Sequence, residues 1–287
     1  MKLLLSTGAF PGFSIENSVS LARDVGAEGI ELMLTPRLGR IDPDHIRSLE
    51  DRYETPVRSV HTTMRLRHAS PELKARDIVQ SARFAANFMQ CDVLVVHTPS
   101  VQSLHEPAGR FWFDAVNAAV EISRGAQFAV AIENSGRSTA KTPTWAFDHP
   151  HRLLWLTEEW DLRITYDTAH ASSRNWDLVE TLRTLQPRIA NIHLSDVNRT
   201  RDSRFGLLNA MTRDHQLPGD GNLPIDDLIG SLASSQYDGA VTLELSPYAV
   251  HAWWRPTAVR RLTEAFERCR AVARNVGFPQ QRPQGRM

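Results

Sequence analysis

Seven acidic and histidine residues recur along this chain at intervals close to the length of one strand–helix unit. They are Glu31, His61, His97, Glu133, Asp167, His193 and Glu244. Such side chains hold Zn²⁺, Mn²⁺ or Mg²⁺ in proteins. If the fold gathers them, several carboxylates without a cation would repel one another and raise each other's pKa. The pattern therefore predicts a divalent metal site.

Each of these residues ends, or lies close to the end of, a short apolar segment rich in Val, Ile and Leu. Such runs are typical of strands that are buried on both faces. The strand candidates span residues 3–7, 29–34, 57–62, 92–98, 128–134, 163–168, 189–196 and 240–246. The spacing between successive site residues is 26–36 residues up to His193 and 51 residues from there to Glu244, which predicts an inserted loop after the seventh strand.

Segments of helical periodicity separate the strand candidates. They span residues 14–27, 43–53, 71–90, 111–125, 148–160, 176–186, 226–236 and 256–275. Eight strand–helix units in fewer than 300 residues favour an α/β fold, a closed (β/α)₈ TIM barrel, over a doubly wound sheet. No glycine-rich phosphate loop follows any strand. We expect one domain over residues 1–287, with a frayed tail at 277–287.

The carboxyl ends of all strands of a (β/α)₈ barrel face one opening, so the seven side chains should converge there. Taken alone, each has an ordinary alternative role: a hydrogen-bonded structural histidine, or a carboxylate that caps the next helix. Recurrence on consecutive strands favours the metal site. His170, three residues after Asp167, and His215, in the loop before "PGDG", can reach the same opening; a solvated loop position is the alternative for His215.

The composition excludes several classes of protein. The chain has 33 Lys and Arg against 33 Asp and Glu, so it lacks the overall positive charge typical of nucleic-acid binding. The two cysteines, Cys91 and Cys269, form no C-x-x-C motif and suit reduced thiols in the cytoplasm. No apolar stretch is long enough for a membrane span. We expect a cytoplasmic protein with a small-molecule partner, no nucleic acid and no membrane.

The chain carries "VHTT" at His61, "VVHTPS" at His97, "IEN" at Glu133, "DTAH" at Asp167 and His170, "IHLSD" at His193, "DHQLPGDG" at His215 and "LELSP" at Glu244. Together these motifs resemble those of the xylose-isomerase-like TIM-barrel superfamily. That superfamily contains sugar isomerases and epimerases, and also apurinic endonucleases of the endonuclease IV type. The resemblance extends from the first strand to the eighth.

The resemblance to the epimerases implies one divalent ion (Mn, Mg, Co or Zn) held by Glu133, Asp167, His193 and Glu244. Glu133 and Glu244 would also form the acid/base pair that moves a proton at the carbon next to a carbonyl. The substrate would be a small sugar, sugar phosphate or related polyol ketone. His170, Arg213 and Glu31 are the residues we expect to contact it.

The resemblance to the endonucleases implies further metals instead. His61 and His97 would hold a second ion with Glu133, and His170 and His215 a third. The third site of those enzymes also uses an Asp two residues before the second histidine, where this chain has Arg213. This difference favours the sugar isomerase or epimerase. An abasic-site endonuclease, an inosose-type dehydratase and an inert metal- or sugar-binding barrel are the alternatives.

The predicted opening also carries arginines and tryptophans. The arginines, which suit either solvation or phosphate recognition, are Arg65, Arg67, Arg137, Arg174, Arg199, Arg201 and Arg204. Trp145 and Trp176 suit sugar stacking or core packing. Trp253 and Trp254 suit closure of the opening or a contact between subunits of a homo-oligomer.

Overall fold

Eight parallel strands close into a barrel in the computed structural model of the chain, which describes residues 1–65, 69–137 and 143–276. The strands follow one another in chain order, and the first pairs with the last. They are β1 (Lys2–Ser6), β2 (Ile30–Met33), β3 (Val57–His61), β4 (Val93–His97), β5 (Ala129–Glu133), β6 (Arg163–Asp167), β7 (Ile189–Leu194) and β8 (Ala240–Leu243). The predicted (β/α)₈ barrel is confirmed.

Helices surround the barrel and also occupy three of the loops at its carboxyl end. In the described residues they are α1 (Ile15–Asp24), α2 (Pro43–Tyr53), α3 (Pro71–Ala85), α4 (Pro107–Ala126), α5 (Pro150–Glu159), α6 (Thr168–Ser173), α7 (Leu178–Leu185), α8 (Gly206–Thr212), α9 (Ile225–Ser234), α10 (Pro247–Val250) and α11 (Arg255–Val276). None of these helices combines the length and the apolarity needed to cross a bilayer.

Local chemistry sets the ends of the helices. Ser70 accepts a hydrogen bond from Leu73 N and caps α3, as its sequence predicts. This helix ends at Ala85 rather than at the predicted residue 90, because the Asn87 amide donates to the carbonyl oxygens of Arg83 and Phe84. Helix α4 begins earlier than predicted, since Pro107 suits its first turn.

The short helices α6, α8 and α10 were not predicted. Each follows a strand at the carboxyl end of the barrel, where the chain must build the walls of the opening. They span 6, 7 and 4 residues, which is too short for a helical period to stand out in the sequence. The predicted tail at 277–287 lies outside the described residues.

Most of the apolar core lies between the barrel and the outer helices, whereas the barrel interior is partly polar. A small separate cluster of Val93, Val95 and Ala131 lies apart from the main core. Buried polar residues stand beside it on the strands: Ser59, Thr165, Asn191 and Thr242. The Thr242 hydroxyl donates to the Asn191 side-chain oxygen over 3.0 Å, so part of this polar layer is hydrogen-bonded internally.

Candidate metal centre and active site

Adjacent strands bring the predicted site residues side by side. His97 pairs in register with Glu133 across β4 and β5, and Asp167 pairs with His193 across β6 and β7. The side chains form three groups whose ligand atoms lie within 4.8 Å of one another. The groups are Glu133–Asp167–His193–Glu244, His61–His97–Glu133 and Asp167–His170–His215. Eight of the ten predicted site residues thus come together at one end of the barrel.

The central group converges on one nitrogen, His193 Nδ1. The distances from this atom are 2.6 Å to Glu244 Oε2, 3.3 Å to Glu133 Oε1 and 3.9 Å to Asp167 Oδ2. Glu244 Oε2 and Asp167 Oδ2 are buried; Glu244 Oε2 contacts His193 Nδ1, whereas Asp167 Oδ2 has no hydrogen-bond partner. Buried carboxylate oxygens without partners are costly, so four donors that surround one point fit a divalent cation.

Asp167 has a different function at each oxygen. It is the last residue of β6, and its Oδ1 accepts a 2.6 Å hydrogen bond from His170 N, which caps α6. This leaves Oδ2 free for the metal group. The main chain at Asp167 is fixed by the Asn134 side chain, which accepts from Asp167 N over 2.8 Å and donates to Asp167 O over 3.0 Å.

Glu31 lies behind His193 rather than at the open end of the site. Its Oε2 is 3.0 Å from His193 Nε2 and also accepts from the Ser59 hydroxyl and the Asn191 amide. The residue is fully buried. A carboxylate on the far nitrogen of a ligating histidine fixes the tautomer and the ring orientation. This position favours orientation of His193 over the predicted contact of Glu31 with substrate.

The second group extends the site toward β3 and β4. His97 Nε2 lies 3.1 Å from Glu133 Oε2 and 3.0 Å from His61 Nε2. His61 Nδ1 lies 2.8 Å from Thr62 O, so Nε2 is the nitrogen that faces the group. Glu133 presents Oε2 to these histidines and Oε1 to His193, and it therefore belongs to both groups.

The third group adjoins the second, since the ring centroids of His97 and His170 are 6.2 Å apart. His170 Nδ1 is 2.9 Å from Asn134 O and 3.2 Å from Glu133 Oε1. Gly136 packs so closely on this ring that a Cβ atom there would lie 2.5 Å from His170 Cδ2. The rings of His170 and His215 meet edge to face, with centroids 5.6 Å apart. His215 therefore belongs to the site rather than to a solvated loop.

The long loop after β7 is wrapped around one buried carboxylate. Asp196 accepts hydrogen bonds from the main-chain N–H groups of Val197, Gly219, Gly221 and Leu223. A bridge between Asp196 and Gln216 holds the adjacent segment. This fold places His215 at the site in a left-handed conformation, φ 53°, which is uncommon for a residue other than glycine and is found more often at functional sites.

The guanidinium of Arg213 is engaged in ion pairs with residues outside the metal-binding groups. Its guanidinium contacts Asp202 at 2.5 Å and Asp214 at 2.8 Å. Asp214, which follows Arg213 in the chain, is therefore already paired with the Arg213 guanidinium. These contacts favour a role for Arg213 in stabilising the loop over its predicted contact with substrate.

Several other arginines of the predicted opening contact residues near them. Arg65 and Arg174 form ion pairs with Asp77 and Asp148. Arg199 donates to the Ser172 hydroxyl and Arg201 to Thr212 O. Arg204 lies over the Phe205 ring, and Arg67 lies outside the described residues.

Of the predicted tryptophans, Trp176 packs partly buried against the core, and Trp145 donates its main-chain N–H to Asp148. Trp253 and Trp254 are 65% and 61% exposed. Closure of the opening and a subunit contact both remain predictions for this pair.

Burial and charge oppose each other in the cluster. Burial alone would raise the pKa of Glu133, but His97, His193 and His170 outweigh it and hold the pKa well below its ordinary value. Glu244 follows the same pattern through His193. Burial alone would lower the pKa of His170, whereas Asp167 and Glu133 raise it to about 10. Glu133 and Glu244 are therefore balanced by His170 and His193, whose protons a cation can replace.

His97 differs from its neighbours. Burial lowers its pKa to about 4, despite the nearby Glu133.

Comparison with known proteins agrees with this geometry. The sequence matches the family described as xylose isomerase-like TIM barrel over residues 19–271, and the chain belongs to that family. Among curated relatives, an uncharacterised protein of Mycobacterium tuberculosis is 26% identical over 268 residues, which cover 86% of this chain and 89% of the relative. An inosose dehydratase of Geobacillus kaustophilus is 30% identical over 102 residues, 32% of each chain.

Solved structures share the fold at low identity. A D-tagatose 3-epimerase-like protein superposes with a TM-score of 0.68 at 19% identity, covering 96% of this chain and 98% of its own. The 3-keto-D-glucoside 4-epimerase of Escherichia coli gives 0.71 at 16%, covering 94% and 99%. An AP endonuclease family 2 protein of Brucella melitensis gives 0.66 at 16%, covering 89% and 99%. The predicted superfamily is confirmed; at these identities the structures show the fold alone.

The sequence interpretation missed the residues that hold the ligands in place. Asn134 follows Glu133 directly in "IEN", and Asp196 ends "IHLSD", so both lay within motifs already singled out. The signal for Asp196 was available in the glycines of "PGDG". The main chain at Gly221 approaches Asp196 so closely that a Cβ there would lie 2.3 Å from Asp196 Oδ1, which favours glycine at this position.

Proposed function

We propose that this protein is a divalent-metal-dependent isomerase or epimerase of a small sugar, sugar phosphate or related polyol ketone. The observation that carries the proposal is the placement of two carboxylates, Glu133 and Glu244, against the same nitrogen of His193. The histidines of the cluster lower the pKa of both carboxyl groups, and the buried Asp167 Oδ2 of the same group has no hydrogen-bond partner.

The residues that would hold the ion are Glu133, Asp167, His193 and Glu244. A mixture of one imidazole and three carboxylates suits Mn²⁺, Mg²⁺, Co²⁺ or Zn²⁺. When bound, such an ion polarises a carbonyl oxygen and makes the neighbouring C–H bond more acidic. His61 and His97, with the second oxygen of Glu133, could hold a second ion.

The two glutamates would carry the proton. An ionised carboxylate that accepts the proton from the carbon next to the carbonyl becomes a carboxylic acid and leaves an enediolate. Return of the proton to the former carbonyl carbon, together with transfer of the hydroxyl proton from one enediolate oxygen to the other, gives an isomer. Return of a proton to the opposite face of the original carbon gives an epimer. Glu133 on β5 and Glu244 after β8 approach the centre from different strands, as proton transfer on two faces requires.

His170 would bind the substrate oxygens. Its Nδ1 is held by Asn134 O and Glu133, so Nε2 is the nitrogen left to donate to a hydroxyl or carbonyl oxygen of the substrate. The close packing of Gly136 restricts the ring to this orientation.

Hydrogen exchange with solvent tests the proposal. Metal-loaded protein incubated in D₂O with a panel of ketoses, ketose phosphates and inososes should introduce deuterium at the carbon next to the carbonyl of at least one compound. A protein that binds the metal but exchanges no proton in the panel would be an inert metal- or sugar-binding barrel.

Two other reactions are the alternatives. The groups at His61–His97–Glu133 and Asp167–His170–His215 would suit a phosphodiesterase of the abasic-site endonuclease type, which uses several metals. An inosose-type dehydratase begins with the same proton abstraction as the epimerase, and the partial similarity to an inosose dehydratase favours including it.

Metal content and product analysis separate these alternatives. Incision of abasic DNA by protein with three zinc ions per chain would support the endonuclease, whereas one ion and no incision support the sugar enzyme. Loss of water from an inosose, measured by mass spectrometry, would identify the dehydratase.

A further inference from the structure

A cavity of about 550 Å³ opens beside His97, and its lining includes neither Asp167 nor His170. Its lining comes from the segments after β3 and β4 and from α3 and α4. His97 belongs both to the metal-binding groups and to the lining, and its side chain is 40% exposed. The cavity therefore adjoins the proposed active site through His97.

The volume is that of a small-molecule site, for which roughly 300–1,000 Å³ is typical. A ketose whose reacting carbons lie between Glu133 and Glu244 would leave this cavity unfilled, because neither carboxylate is part of its lining. The cavity thus has room for a part of the substrate that takes no part in proton transfer.

The lining is amphipathic and rigid. Ile78, Val101 and Trp112 supply buried apolar surface, and the Trp112 indole donates to His97 O over 2.9 Å. Thr62 and Thr98 add hydroxyl groups close to the cluster. Such a lining matches a sugar ring, which presents C–H groups on its faces and hydroxyls around its edge.

Arg65 supplies a fixed hydrogen-bond donor. The buried Asp77 carboxylate accepts from its Nε at 2.5 Å and from its Nη2 at 2.7 Å, which neutralises the guanidinium and locks its orientation. Its Nη1 makes no hydrogen bond within the described part of the chain. A neutral pair with one free donor suits a hydroxyl group.

We propose that the substrate is a ketose glycoside, whose second sugar ring occupies this His97 cavity while the ketose portion lies at the metal. This inference rests on the proposed function for the reacting half of the substrate. The size and position of the cavity indicate the substrate class, which is a two-ring sugar rather than a free monosaccharide.

Binding and exchange measured with matched sugars test the assignment. The probes are D-fructose and two ketose disaccharides that contain it, isomaltulose and maltulose. Calorimetry on the Mn²⁺-loaded protein should show at least one disaccharide binding about tenfold or more tightly than fructose, a gain of about 1.4 kcal/mol. Equal binding of all three sugars would overturn the proposal.

A substitution that fills the cavity provides a second test of the proposal. Ala108, partly exposed in the first turn of α4, lines the cavity and belongs to none of the three metal-binding groups. Ala108→Phe should abolish the preference for the disaccharide, and Arg65→Gln should weaken disaccharide binding without loss of bound metal. If Ala108→Phe leaves the preference intact, the ring lies elsewhere.

Ala146→Phe is the matched control. Ala146 lines another cavity, of about 710 Å³ between α4 and α5, whose lining includes no residue of the three metal-binding groups. This variant should keep the preference, and thermal unfolding of all three variants verifies that each is folded. Tight disaccharide binding without deuterium exchange in any probe would leave the cavity assignment standing and refute the proposed function.

Discussion

Individual side chains in this site perform two tasks at once, and Asp167 is the clearest case. A carboxylate at the end of a strand suggested either a helix cap or a metal ligand, and the structure assigns one oxygen to the cap and leaves the other free. The two interpretations of the sequence were therefore compatible.

Two substitutions of Asp167 separate these tasks. Asp167→Asn keeps an oxygen for the His170 N–H but removes the charge, so it should weaken metal binding while the metal-free protein keeps its stability. Asp167→Ala should in addition lower the free energy of unfolding by about 0.5–2 kcal/mol, the usual effect of losing a cap. Calorimetric metal titration and urea unfolding measure the two effects. Equal stability of both variants would show that the cap contributes nothing.

Glu31 acts through His193 in this account. Glu31→Gln should lower metal affinity by roughly 10–100-fold, as is usual when the carboxylate behind a ligating histidine is lost. Ser59→Ala is a milder control, because it removes only one hydrogen bond to Glu31. If Glu31→Gln instead leaves metal affinity unchanged and raises only KM, Glu31 contacts the substrate as the sequence first suggested.

At the scale of elements, the repeated strand–helix pattern was sufficient to predict all eight strands, because strands buried on both faces are continuous apolar runs. The pattern could not predict α6, α8 and α10, whose few residues are held by contacts distant in sequence. An example is the bond from the Ser246 hydroxyl to Met211 O, which joins the loops after β7 and β8. The site followed the same rule. The metal-ligating residues could be predicted because they recur on successive strands, whereas the residues that hold them in position depend on the folded loops.

The loop after β7 should be sensitive to any change at its buried anchor. Gly221→Ala places a methyl group against Asp196 and should displace the segment that carries His215. We expect faster proteolysis within residues 198–224 and a weaker effect of His215→Ala in this background than in the wild type. Gly12→Ala, where a Cβ would meet no atom within 4 Å, is the control. Unchanged proteolysis would show that the loop adapts without moving.

At the scale of the whole molecule, the metal centre connects strands that are distant in sequence. Glu133, Asp167, His193 and Glu244 come from β5, β6, β7 and the segment after β8, so a bound ion joins half of the barrel wall. Closure of the barrel, rather than any local motif, brings them within reach. The regular spacing of the site residues along the chain therefore predicted that they would converge. The structure was needed to show that Glu133 belongs to two of the metal-binding groups.

Removal of the ion should therefore destabilise the entire barrel. At a metal concentration 100 times the dissociation constant, binding to the folded state alone adds about 2.7 kcal/mol of stability. Calorimetry with saturating Mn²⁺ and with EDTA should show a decrease in Tm of several degrees on chelation. The Glu133→Gln variant, treated in the same way, should show a smaller difference. Identical Tm values for wild type with and without chelator would contradict a metal held between strands.

The most direct test of the central claim is deuterium exchange by wild type and by Glu133→Gln, each loaded with metal and analysed for bound ion. The account predicts that the wild type exchanges the proton next to the carbonyl of a ketose. The variant should be folded and at least about 100-fold slower, because removal of a general base typically costs 10²–10⁴ in rate. Exchange by Glu133→Gln at the wild-type rate would contradict the assignment of Glu133 as the proton-transfer residue.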